Sequence, residues 1–175
     1  NRLFEVAWVD KPVAANGQIK AYYQPEKLDE FCYEAGMLLS PDNIEKVNGF
    51  KVDPHWQNTV GGGIRPGFVN VPMLVGKNPG DSFELSFIGS AVGLFVIAGP
   101  DAGSIEYRIN NGKWKKQDLY TKWSQSLHIP WVYMLETELE KRKKHQLEVR
   151  LLNQKNMQSK GYSCRIVNFV VNTYE

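Results

Sequence analysis

Three runs of strand-forming residues, set between glycine breaks from Pro79 to Ile109, constrain the fold more than any other stretch of the chain. In the first, Phe83, Leu85 and Phe87 alternate with Glu84 and Ser86. In the third, Ile105, Tyr107 and Ile109 alternate with Glu106, Arg108 and Asn110. Strand side chains point to opposite faces with a period of two, so both runs have one apolar and one polar face. The run between them, Val92 to Ala98, is apolar almost throughout, as expected of a central strand covered on both faces.

The rest of the chain has the same pattern. Residues 1 to 9 alternate like a strand, and Pro12, Asn16-Gly17 and Pro25 break residues 10–31 into turns. Residues 1–30 therefore read as a linker plus an edge strand, with a short helical turn near Glu26 to Phe31. Further strands are expected over 31–40, around Phe50 and Val52, over Gly67 to Val75, His145 to Leu152 and Cys164 to Thr173. Asn111-Gly112 marks a type I′ hairpin, a turn needing positive φ at both central positions. Residues 118–135 read as an aromatic loop interrupted by Pro130, and Tyr133 to Glu140 as one or two helical turns. With about nine or ten short strands between Gly and Pro turns, the expected fold is all-β: a jelly-roll-like antiparallel β-sandwich with little helix, forming one domain over 1–175.

Composition narrows the function classes. A formal net charge of +2 over 175 residues gives no basic face for nucleic acid. The one basic run, Lys141 to Lys144, comes directly after Glu136, Glu138 and Glu140, which nearly cancel it. No apolar run approaches the ~20 residues that span a bilayer. Cys32 and Cys164 show no metal-site spacing; they are two buried thiols or one disulfide of an oxidising compartment.

Catalytic and metal signals are weak. Gly80-Asp81-Ser82 resembles the nucleophile block of SGNH hydrolases, but here it forms a turn that opens a strand, and no Asp-x-x-His spacing accompanies it. His55, His128 and His145 lie on separate segments without zinc-ligand spacing, so no metal or cofactor is expected. Gly61 to Gly63 lack the Lys-Ser/Thr that completes a phosphate loop. Aromatics are the better signal. They make up 12% of the chain, and Trp114, Tyr120, Trp123, Trp131 and Tyr133 crowd into twenty residues. Exposed rings at one end of a sandwich can stack on sugars; buried, they would fill the core.

A resemblance adds to this. It rests on Gly99-Pro100-Asp101-Ala102-Gly103, on Asp118-Leu119-Tyr120 leading to Trp123-Ser124, and on Leu127-His128-Ile129-Pro130-Trp131. His145-Gln146-Leu147, Arg165-Ile166, Asn172, Gly67-Phe68 and Phe87-Ile88-Gly89 extend it over roughly residues 30–173. The segment is similar to the β-sandwich accessory domain of secreted SGNH/GDSL-type hydrolases of Bacteroidetes-like bacteria. The resemblance implies a non-catalytic module of an exported protein, secreted, periplasmic or on the cell surface. Its partner would be a glycan or an adjacent hydrolase catalytic domain. No catalytic residue carries over, because the catalytic block of that family is missing. The expected ligand-binding surface is Trp123, His128 and Trp131 with Asp101 and Arg65. Two other readings stand beside it: a docking domain that binds no sugar, and a stand-alone esterase using Ser82.

Overall fold

The structure, a computed structural model, describes residues 25–173. The chain divides into two compact units, 1–30 and 31–175. Of the first, residues 25–30 are described and hold no helix or strand. The strand expected over residues 1–9 lies outside the described residues.

The second unit is all-β. In chain order its strands are β1 (Gly36–Leu39), β2 (Glu45–Asn48), β3 (Lys51–Trp56), β4 (Gly63–Ile64), β5 (Val71–Gly76) and β6 (Ser82–Ile88). After these come β7 (Ala91–Ala98), β8 (Ser104–Ile109), β9 (Lys115–Asp118), β10 (Leu127–Glu136), β11 (Lys144–Leu151) and β12 (Cys164–Asn172). They form two sheets. Seven strands run in the order β3-β5-β12-β7-β10-β4, with β1 also paired to β12; five run β2-β6-β11-β8-β9. This is the expected jelly-roll-like sandwich.

The alternation in the sequence builds its core. Phe83, Leu85 and Phe87 of β6, Ile105 and Tyr107 of β8, and Leu147 and Val149 of β11 turn their apolar face inward. Opposite them stand Leu94 and Val96 of β7 and Ile166, Phe169 and Val171 of β12. Strand β7 lies between β12 and β10, and all of it except the half-buried Phe95 is buried. Its outward Ile97 joins a second apolar cluster with Trp56, Met73 and Val75, packed by Ile64 and Phe68 from the segment between β3 and β5. The seven-stranded sheet is thus partly covered on its outer face by its own chain.

Several expectations are corrected. Among the described residues there are twelve strands where about nine or ten were expected; the ones not anticipated are the short β2 and β4, and β10 in place of the aromatic loop. Strand β4 is parallel to β10, so the sandwich is not wholly antiparallel. Residues 26–31 and 133–140 form no helix. Leu127–Glu136 is instead a ten-residue strand with Pro130 inside it. Proline lacks an N–H and is tolerated at a sheet edge. That condition holds here, since β4 pairs only with Leu127 and His128 and leaves the outer side of Pro130 open. The hairpin after β8 turns at Asn110 and Asn111, with φ 50° and 61°, one residue earlier than the Asn-Gly dipeptide suggests. Gly112 N–H donates to the Ile109 carbonyl across it at 2.8 Å. The glycine run also has a structural use: Gly63 N–H donates to Ser126 O at 2.8 Å, and a Cβ on Gly62 would lie 3.0 Å from that same oxygen. Cys32 and Cys164 are not joined; Cys164 is buried, and burial pushes its thiol up to about 12.

Candidate ligand-binding surface

The start of β10 organises the five candidate residues. Just before it, Thr121 and Ser124 close a tight turn. Ser124 N–H donates to Thr121 O at 2.9 Å, and Thr121 N–H to Ser124 Oγ at 3.0 Å. Ser124 is buried, so the turn is pinned from beneath. Trp123 projects from it, 47% exposed, with the Lys122 ammonium 4.5 Å from its ring centroid. Four residues into the strand, Trp131 lies opposite Val96, on the face that looks into the sandwich. It stands where β4 no longer covers the edge and is 39% exposed. Arg65 comes directly after β4 and is exposed; Ile64 before it is the register partner of His128.

Asp101 and His128 are brought together, but in the interior. His128 is 0% exposed and Asp101 7%. The Asp101 carboxylate accepts from Ser163 Oγ at 2.7 Å and from Arg165 Nη2, linking the turn after β7 to the start of β12. Burial opposes ionisation of Asp101, but the hydrogen bond and charge of Arg165 outweigh it, with help from Ser163. The net effect holds the carboxyl below its ordinary range. Trp56 roofs the group, its ring 5.4 Å from the Arg165 guanidinium carbon and 5.8 Å from the His128 ring. Asp101 Oδ1, Arg165 Nε and Nη1 and both His128 nitrogens are buried without a protein hydrogen-bond partner. A buried polar group left so is costly, which makes this the least satisfied polar cluster among the described residues.

Burial, then the positive charge of Arg165, lowers the His128 pKa; Asp101 and the Gly63 backbone oppose this without reversing it. The unfolded chain protonates this histidine near pH ~6.5, whereas the folded protein resists doing so. Its contribution to stability is therefore complete above that pH and is lost as pH falls toward the lower folded value. Urea unfolding of the wild type is expected to show a falling midpoint between roughly pH 7 and 5, with a shallower slope in His128→Gln. An unchanged slope in the variant would place the acid sensitivity elsewhere.

Ser82 lies on β6 opposite Arg150 and lines a cleft with Lys46, Glu84, Arg108, Trp114, Glu148 and Arg150, and no histidine lines that cleft. His145 is engaged elsewhere, at 2.8 Å from Asn110 Nδ2 and 2.9 Å from the Glu140 carbonyl. Among the described residues no group of three His, Cys, Asp or Glu side chains is placed to hold a metal ion. No helix among them is long and apolar enough to cross a membrane.

Sequence reasoning missed Arg165 and Trp56 as partners of Asp101 and His128. The available signal was Arg165 itself, a lone charge in the apolar run Cys164 to Val171.

No model of a protein family matches this sequence, and no curated protein does. Solved structures do match. A two-domain esterase (CEX) active on acetylated mannans superposes with a TM-score of 0.65 at 16% identity, over 90% of this chain and 41% of its own. The esterase of that description co-crystallized with mannopentaose gives 0.64 at 16%, over 88% and 40%. A Podospora anserina GH26-CBM35 β-(1,4)-mannanase gives 0.51 at 9%, over 81% and 28%. The chain spans about 40% of the length of those esterases, and what it shares with all three proteins is the fold of a β-sandwich domain.

Proposed function

We propose that this chain is a non-catalytic glycan-binding module of an exported bacterial carbohydrate-active protein, of the kind that accompanies SGNH-type hydrolase domains. The observation that carries the reading is the pair of exposed rings, Trp123 and Trp131, held by a pinned turn and a strand rather than by a mobile loop. Burying a ring against a sugar's C–H face removes apolar area from water, and a rigid ring loses little entropy in doing so. Arg65 supplies an exposed donor beside the same strand end. Asp101 and His128 act from beneath, fixing the turn after β7 and the first residues of β10. The similarity to part of a mannan esterase and of a mannanase supports a carbohydrate setting.

Trp123→Ala and Trp131→Ala are each expected to weaken binding to an insoluble or oligomeric β-glycan about tenfold, with an unchanged thermal midpoint in Trp123→Ala and a lowered one in Trp131→Ala, whose ring is partly packed against the sandwich. Affinity electrophoresis against a panel of polysaccharides measures the first and calorimetry the second. Retained affinity in the double variant would remove these rings from the site.

A second reading has its own observation. On the outer face of the seven-stranded sheet, Leu38, Val170, Gly93 and Met134 form one row across β1, β12, β7 and β10. Phe95 and Val132 form the next, and Leu38 and Val132 are exposed. An apolar strip of this kind suits burial against a catalytic domain. It predicts that charged substitutions at Leu38 and Val132 disrupt association with such a domain, and that the wild type is retained by none of the polysaccharides.

A further inference from the structure

The outer face of the five-stranded sheet carries a different aromatic site. Its side chains are mostly polar, and the charged ones pair across strands. Glu84 of β6 accepts from Lys46 at 2.8 Å and from Gln146 Nε2 of β11 at 2.7 Å. Arg108 of β8 donates to Glu148 of β11 at 2.7 Å, and Arg150 to Glu106. Trp114 lies shortly after the Asn110-Asn111 turn, and the chain brings its ring back over this face. The Arg108 and Arg150 guanidinium carbons lie 4.7 and 4.2 Å from its centroid. Two cations, each fixed by a carboxylate on a neighbouring strand, seat one indole; contacts of this kind are attractive and orient the ring. Trp114 is half-buried.

Beside this ring is a cleft of about 220 Å³, lined by Lys46, Ser82, Glu84, Arg108, Glu148 and Arg150. Drug-sized ligands occupy roughly 300–1,000 Å³, so this space suits a single small ring. Its chemistry is an aromatic wall with carboxylate acceptors, a hydroxyl, and ammonium and guanidinium donors. That combination matches a ring with one C–H face and a rim of hydroxyls. Its charges cancel in pairs: Lys46 with Glu84, Arg108 with Glu148, Arg150 with Glu106. An anionic ligand would find no uncommitted cation there and would meet two carboxylates.

We propose that the cleft at Trp114 is a second carbohydrate subsite, on the opposite sheet from Trp131, that takes one neutral pyranose unit of a glycan. The pyranose stacks on Trp114, and its hydroxyls exchange hydrogen bonds with Glu84, Glu148, Lys46 and Ser82. The serine of the Gly-Asp-Ser triplet is then a wall of a binding cleft and does no chemistry. This subsite rests on the glycan-binding reading above but uses different residues, so the two fail separately.

The test uses the whole chain labelled with ¹⁵N, whose five tryptophans give five indole signals, assigned with Trp114→Ala, Trp123→Ala and Trp131→Ala. Mannopentaose and cellopentaose are the neutral probes and trigalacturonate the acidic one. The expected result is a shift of the Trp114 indole with at least one neutral probe and none with trigalacturonate. Binding at that signal should weaken at least tenfold in Glu84→Ala, which keeps the tryptophan, and persist in the Trp123→Ala/Trp131→Ala double variant. A Trp114 signal that stays put with both neutral probes, or moves equally with trigalacturonate, overturns the subsite. Shifts confined to Trp123 and Trp131 overturn it while leaving the first site standing. Shifts at Trp114 alone uphold it and remove the first site.

Discussion

Replacing Asp101 with alanine is expected to cost about 3–5 kcal/mol of folding stability, the range found when one partner of a buried ion pair is removed. Arg165 is 3% exposed and has Asp101 as its ion-pair partner, so the variant leaves a guanidinium in the interior with its charge uncompensated. Ser163 Oγ loses its acceptor in the same change. Asp101→Asn, which keeps an acceptor but not the charge, should fall between alanine and wild type. Replacing both partners, Asp101→Leu with Arg165→Met, should recover much of the loss, because the desolvation penalty of the charges disappears with the charges themselves. Urea unfolding of the wild type, Asp101→Leu, Arg165→Met and the double variant closes this cycle. A single-variant loss below about 1 kcal/mol would mean that Arg165 reaches water without Asp101. The acid limb should change as well. Because the folded carboxyl titrates below its unfolded value of about 3.9, its contribution is complete above that pH and is lost as pH falls through the folded value. The alanine variant lacks that limb.

How much of the fold is legible in the sequence depends on how local each signal is. The alternation at Phe83, Leu85 and Phe87 and at Leu147, Val149 and Leu151 is a property of consecutive residues, and all six are buried. The apolar run Val92 to Ala98 likewise marks a strand buried on both sides, although it cannot say which strands flank it. Pro130 misled because a proline's tolerance depends on what lies beyond the strand, here an edge that β4 leaves open. Strand β4 itself has two residues, and it exists only through its parallel pairing with Leu127 and His128 and the close approach of Gly62 and Gly63 to Ser126. The site shows the same division. That Trp123 and Trp131 reach solvent is consistent with an aromatic segment flanked by polar residues. That Asp101, His128 and Arg165 share one interior cluster depends on contacts between residues 27 to 64 positions apart in the chain, and neither spacing nor composition encodes these. In the sequence Trp114 is only one ring among the aromatic cluster; its meaning comes from Arg108 and Arg150 arriving on neighbouring strands beneath it.

The second large effect is expected at Gly99, where the reason is space rather than backbone conformation. A Cβ placed there would lie 2.4 Å from His128 Cδ2, 2.7 Å from Nε2 and 3.2 Å from Cγ. Separations below 3.0 Å require something to move, and the imidazole has little freedom: Trp56 lies beside it, and its backbone is tied into β10 at Ile64. Overfilling a packed interior typically costs about 1–3 kcal/mol, so Gly99→Ala should fall in that range and Gly99→Val above it. The alternative to moving the ring is moving the turn, which Gly99 O holds by accepting from Ala102 N–H at 2.9 Å. A shift there displaces Asp101 from Arg165, so the two large effects are coupled through one short segment. His128→Ala vacates the space that a methyl group at position 99 would claim. The double variant Gly99→Ala/His128→Ala should therefore be less destabilised than the sum of the single changes. Strict additivity in thermal or urea unfolding would mean that the cost of alanine at position 99 comes from elsewhere, and that the imidazole does not set how closely the turn after β7 approaches β10.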